Sequence, residues 1–183
     1  MNTPKRSTRS RKKTNRARLP KGSVGAFGER TVEAELLRHG WIPANFNHTV
    51  KNAEGYDIAA QKDGKLVLIS VKTCYAAKSF QFRILKKKTL QLNHFTVLVE
   101  MGSARGEDRF FIVPTTKILR EVEGRRRTIL SKPKRDGTAV KDIGMWVLRI
   151  KAPQRGRTRA GWDLGQKFRE YVDVWDVLDR PVG

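Results

Sequence analysis

Hydrophobic residues along this chain change their spacing several times, and each change marks a predicted element. From Gly22 onward, Val24, Phe27, Thr31, Ala34 and Leu37 recur three and four residues apart, while Val32 and Leu36 add a second apolar strip beside Glu29 and Glu33. Two strips predict a largely buried helix, ending at His39-Gly40 where glycine permits a left-handed cap. Trp41 to Val50 predicts a first strand. Tyr56 to Gln61 and Leu66 to Lys72 predict two more, joined by Asp63-Gly64, a two-residue hairpin signal because both residues tolerate positive φ. Further strands are predicted at Phe80 to Leu85, Phe95 to Glu100, Phe110 to Val113 and Met145 to Ile150, with a short helix at Lys86 to Leu92.

Pro114 suits the first turn of a helix running to Arg120. Glu121 to Asp142 is polar, basic and rich in turn residues, which predicts a loop or extended hairpin. At about 164–179, Phe168, Tyr171, Val172, Trp175 and Leu178 form one helical stripe before Pro181. Strands alternate with helices but include a hairpin. The expected fold is therefore α/β (mixed α+β), a central mixed β-sheet flanked by helices.

Charge then divides the chain. Met1 to Lys21 carries nine Lys or Arg residues, no acid and almost nothing apolar to bury, so residues 1–21 are expected to be a disordered basic arm before one folded domain at 22–183. The whole chain of 183 residues has a formal net charge of +21, and the domain without its arm keeps +12. Such an excess favours a polyanion through counterion release and steering. DNA is the leading expected partner, with RNA the other polyanion. Lys12, Lys13, Arg16 and Arg18 in the arm, Lys86, Lys87 and Lys88, and Arg125, Arg126 and Arg127 are the candidate phosphate contacts. No apolar run reaches spanning length and no signal-like stretch opens the chain, so no membrane partner is expected. The expected location is intracellular, cytoplasmic or nucleoid-associated. The single cysteine, Cys74, rules out an intramolecular disulfide and a cysteine-based zinc cluster.

Chemistry concentrates at the predicted hairpin. With Asp63 and Gly64 as the loop, Lys62 pairs with Lys65, Ala59 with Leu68 and Asp57 with Ser70. Asp57, Ser70 and Lys72 then share one face, the first two with Cβ atoms roughly 5 Å apart, while Val67, Ile69 and Val71 face a core helix. A hard divalent ion there would take oxygen ligands, polarise a scissile phosphate and lower the pKa of an attacking water. Asp57 is the expected main ligand for Mg2+ (or Mn2+), the backbone carbonyl of Val71 a second, and Glu29 a contributor from the first helix. Lys72 would orient the nucleophile or stabilise charge on the phosphate. His39, His48 and His94 lack metal-ligand spacing and are read as structural or surface residues.

Gly28-Glu29, Gly55-Tyr56-Asp57-Ile58 and Ile69-Ser70-Val71-Lys72-Thr73 together resemble the PD-(D/E)XK, or restriction-endonuclease-like, nuclease superfamily, to which archaeal-type Holliday junction resolvases belong. The resemblance covers about Gly22 to Glu100, with weaker support from the FFIVP strand and the final Trp-containing helix. It implies Mg2+-dependent endonuclease cleavage of DNA, structure-selective in some members, and is compatible with a homodimer. The metal-binding aspartate falls on Asp57, the catalytic lysine on Lys72 and the helical acid on Glu29. The second acidic position holds Ser70, which removes about one unit of negative charge and should weaken Mg2+ binding. Glu33, Glu54 and Glu100 are candidate replacements. Two alternatives stay open: a catalytically impaired nucleic-acid-binding module on the same fold, and a basic RNA-associated or assembly protein.

Overall fold

A computed structural model describes residues 19–20, 22–46, 55–75, 79–83, 93–102, 106–142, 145–149 and 167–180. The basic arm to Arg18, the predicted helix at Lys86 to Leu92 and parts of the predicted strands and final helix lie outside these residues. Helix α1 spans Ser23–Arg38 but is not the largely buried helix the two strips predict: Gly28, Val32 and Leu36 are buried, whereas Ala34 and Leu37 on the first strip are exposed, because only one side of the helix packs on the sheet. Its end is fixed locally: Gly40 takes φ +78°, the Trp41 N–H donates to the Leu36 carbonyl at 2.9 Å and the Gly40 N–H to that of Leu37 at 3.1 Å. This is the Schellman pattern, and it drops Trp41 into the core beside Leu36.

Strands β1 (Ile42–Asn45), β2 (Ile58–Lys62), β3 (Lys65–Tyr75), β5 (His94–Met101) and β6 (Arg109–Pro114) form a five-stranded sheet in the order β1-β2-β3-β5-β6. Only the β3–β5 pairing in this sheet is parallel, so the sheet is mixed. Asp63 and Gly64 both take positive φ, +48° and +75°, and the register Lys62↔Lys65, Ala59↔Leu68 follows as the turn requires. All eight residues of β5 are buried, so both faces of the strand are covered, and its polar members His94, Thr96 and Glu100 each have a side-chain partner. Strand β4 (Ser79–Arg83) instead pairs with β7 (Met145–Arg149) in a separate antiparallel ribbon.

The two faces of the sheet have different covers. Val67, Ile69 and Val71 face α1, and Gly28 approaches so closely that a Cβ there would lie 1.7 Å from Thr73 Oγ1 and 2.8 Å from Thr73 Cβ. Ser70 and Thr96 are register partners on the other face, where the Thr96 hydroxyl meets that of Thr115 at 2.9 Å in helix α2 (Thr115–Leu130). No helix among the described residues is long and apolar enough to cross a membrane.

Two expectations about elements are corrected. The basic loop predicted at Glu121 to Asp142 is helical through Leu130, because Glu and Arg are good helix formers and Ile118 and Val122 bury one side. Only residues 131–142 are turn and coil. The C-terminal helix predicted at about 164–179 does not run through: beyond Lys167, which is helical, the described part is two short 3-10 turns, Arg169–Tyr171 and Trp175–Asp179. Between them Asp173 takes φ +57° and pairs with Phe110 through its N–H (2.7 Å) and its carboxylate (2.9 Å). The apolar stripe is buried as the pattern implies, with Phe168, Tyr171, Trp175 and Leu178 in the core. Docking onto β6 and the poor helix propensity of its aromatic and β-branched residues together replace the predicted helix with these turns.

Candidate active site

The β2–β3 ladder ends at Ile58↔Ile69, and the chain geometry just beyond it gathers the candidate groups. The predicted pairing of Asp57 with Ser70 does not form: the Asp57 N–H donates to the Ile69 carbonyl at 2.8 Å, and the Asp57 carboxylate turns over the strand end to accept the Val71 N–H at 2.6 Å. A charged acceptor makes this a strong hydrogen bond, and it fixes the carboxylate against β3. Lys72 completes the group: its Nζ lies 3.1 Å from the Val71 carbonyl and 3.8 Å from Asp57 Oδ2. The Val71 side chain is buried in the core, so only its backbone is available to the site. Phe46 and Tyr56 stand edge to face at 5.2 Å beside it, and the Phe46 N–H donates to the Asp57 carbonyl at 3.0 Å.

Ser70 is held from two sides. Its hydroxyl lies 2.9 Å from the Gly55 carbonyl and 3.0 Å from His94 Nε2. A carbonyl can only accept, so the single hydroxyl proton of Ser70 goes to Gly55, and Nε2 of His94 must supply the other proton. The relay therefore runs from His94 Nε2–H through Ser70 to Gly55, and it assigns the imidazole tautomer. Burial pushes the His94 pKa down, Asp57 opposes that shift and Lys72 adds to it. His94 thus belongs to the site, in contrast to its reading as a structural or surface residue. Its signal was hidden because the β3–β5 register that places Leu68 beside His94 is parallel and crosses a long connection.

Glu29 reaches the same end of the sheet through an intermediary. Asn45 Nδ2 lies 3.4 Å from Glu29 Oε2 and also bonds Glu33, and Asn45 is the register partner of Ile58, next to Asp57. Glu33 is thereby engaged on the α1 face. Glu100 is buried and paired with Arg109, with Arg109 Nε at 2.6 Å, and lies opposite Cys74, four positions beyond Ser70 on β3. Neither acid stands where Ser70 does, and Glu54 lies outside the described residues.

The donors that face Lys72, a carboxylate and a strand carbonyl, are the hard oxygens Mg2+ takes. Among the described residues no group of three or more His, Cys, Asp or Glu side chains could hold a metal ion. The set therefore fits a cation bound through one or two protein oxygens, waters and substrate phosphates, which is the ordinary manner of Mg2+, and does not fit an all-protein cage.

Of the candidate phosphate contacts, Lys12, Lys13, Arg16, Arg18, Lys86, Lys87 and Lys88 lie outside the described residues. Arg125, Arg126 and Arg127 sit on α2 with different surroundings. Arg125 Nε is buried, and that burial lowers the pKa of its guanidinium. Arg126 is held between Glu123 at 3.0 Å and Asp142. Arg127 touches Glu123 at 3.3 Å but keeps 78% of its side chain exposed.

No family model matches the chain, and no curated protein matches it. Among solved structures, the bacterial homing endonuclease I-Ssp6803I is similar over 87% of this chain and 91% of that one, at 12% identity and a TM-score of 0.46.

Proposed function

We propose that this chain is a Mg2+-dependent nuclease that hydrolyses phosphodiester bonds in DNA. The observation that carries the proposal is the convergence of the Asp57 carboxylate, the Val71 carbonyl and the Lys72 ammonium at one strand end. Bound there, the ion would polarise the phosphate and acidify a water. Asp57 and Val71 would hold it, with Glu29 contributing from α1. Lys72, already within reach of both oxygens, would place its positive charge where the phosphate oxygens gain negative charge. The net charge of +21 supplies the attraction for the polyanion.

One observation favours a second reading, a nucleic-acid-binding module without catalysis. Ser70 stands where an acid would add negative charge, and its hydroxyl is engaged by Gly55 and His94. The two readings separate in a cleavage assay on linear, branched and single-stranded DNA with Mg2+ or Mn2+. Metal-dependent cleavage by the wild type, lost in Asp57→Ala and Lys72→Ala, supports the nuclease. A wild type that binds but never cleaves, with cleavage gained in Ser70→Glu, supports the binding module.

A further inference from the structure

Helix α2 and the turn after it sort their charges by direction. The four acids between Thr115 and Asp142 are all engaged within the chain: Glu121 with Lys167, Glu123 with Arg126 and Arg127, Asp136 with Thr138, and Asp142 with Arg126. Arg120, Lys132, Lys134 and Arg135 are exposed, and among the described residues none of them has an acidic partner. The turn that carries the last two is organised, since the Lys134 N–H donates to the Thr138 carbonyl at 2.8 Å and Thr138 donates to Asp136 through its N–H at 3.0 Å and its hydroxyl at 2.6 Å. The Arg126 bond to Asp142 ties the far end of the segment back to the helix. Cations at a helix C-terminus can simply favour the dipole, but Arg120 lies in the second turn of α2, where the dipole gives it no such role.

The same exposed stripe contains Gly124, one turn after Arg120 and just before Arg127. Glycine inside a helix costs about 1 kcal/mol relative to alanine. Among the described residues nothing requires it here, because a Cβ at Gly124 would meet no described atom within 4 Å. A missing side chain between exposed cations lets an external backbone approach the helix closely. From Arg120 to Ser131 the stripe is about 16 Å long at 1.5 Å per residue. That is about half of one turn of duplex DNA.

We propose that the outer stripe of α2, from Arg120 past Gly124 to Arg127, and the Lys132–Arg135 turn form a docking surface for the phosphate backbone of duplex DNA. Arg126 instead ties the segment back to the helix, and Arg125 has its Nε buried. The surface rests on the reading of the chain as a DNA-acting protein and names the residues that grip the substrate. It lies on the side of the sheet that carries Ser70, since α2 packs there through Thr115 and Thr96.

The test measures affinity for a duplex oligonucleotide against salt concentration, without divalent ions so that no cleavage intervenes. The full-length wild type is compared with the Arg120→Gln/Lys132→Gln/Lys134→Gln/Arg135→Gln variant, a Lys134→Gln/Arg135→Gln variant and an Arg38→Gln/Arg180→Gln control. Each lost phosphate contact should reduce the slope of log K against log salt by about 0.9, so the fourfold variant should lose about 3.6 and the double variant about 1.8. The control, with two exposed cations on the α1 side, should keep the wild-type slope. Gly124→Glu, which the helix accommodates, should weaken binding while thermal unfolding stays intact. Equal slopes for the wild type and the fourfold variant overturn the surface, as does an equal loss in the control or equal binding and slope loss on single-stranded RNA. A wild type that shows the predicted slopes but never cleaves leaves the surface standing and removes the nuclease.

Discussion

Ser70 Oγ stands 3.0 Å from His94 Nε2, across the parallel seam between β3 and β5, and hands its own proton to Gly55. The pair therefore pins the Gly55-Tyr56-Asp57 segment to the middle of the sheet, two residues ahead of the candidate metal ligand. Nitrogen-15 spectra of the imidazole near pH 7.5 should show a protonated Nε2 and an unprotonated Nδ1. Ser70→Ala should shift the Nε2 resonance. His94→Leu should reduce cleavage about 10- to 100-fold, the usual effect of losing a group that orients a ligand, while His94→Gln should recover much of it by keeping a donor.

Stability should depend on pH through the same histidine. Burial holds its folded pKa below the ordinary 6.5, with Asp57 opposing the shift and Lys72 adding to it. The folded state thus resists protonation that the unfolded chain accepts. His94 costs the fold nothing above pH 6.5, and stability is lost as the pH falls from there through the folded pKa. Thermal melts from pH 8 to 5 should show the wild type losing ground relative to His94→Gln below about pH 6.5, a difference that a surface histidine would not produce.

Asp57 has two tasks that substitution can separate. Asp57→Asn keeps an oxygen for the Val71 N–H and removes the charge, so the melting temperature should change little while metal-dependent cleavage falls at least about 100-fold. Asp57→Ala leaves that N–H without its acceptor and should also destabilise the fold by about 1–3 kcal/mol. Chelation of divalent ions should reproduce the cleavage loss of Asp57→Asn in the wild type. Urea titrations beside the cleavage assay distinguish the two effects.

Much of this arrangement was legible in the sequence because it depends on local rules. The Asp63-Gly64 turn fixes the register as far as Ile58↔Ile69, and Asp57 and Lys72 meet just beyond that last pair. Helix α1 and its glycine end were equally local. What failed to show was decided by distant partners. His94 enters through a parallel pairing that no turn specifies, and Asp173 leaves helical geometry because Phe110 offers it a strand edge. The continuation of α2 was missed for another reason. Its charged run reads as solvated loop until Ile118 and Val122 are seen to anchor one side.

The contact of Gly28 with Thr73 can be tested by adding one methyl group. Gly28→Ala improves helix propensity by about 1 kcal/mol, yet the new Cβ would lie 2.8 Å from Thr73 Cβ, which no side-chain rotation relieves. Overpacking of this kind costs about 1–3 kcal/mol and should outweigh the gain, lowering the melting temperature by a few degrees.

That contact also sets how α1 lies over the sheet. The far end of α1 is anchored by the cap that buries Trp41 against Leu36, so a wedge at position 28 would pivot the helix about that anchor. Displacement about a pivot grows with distance from it, and Glu29 sits on the long arm, next to the wedge. A change that never touches the sheet edge would thus swing the acid away from Asn45, and damage to the fold and damage to the site would arrive as one event.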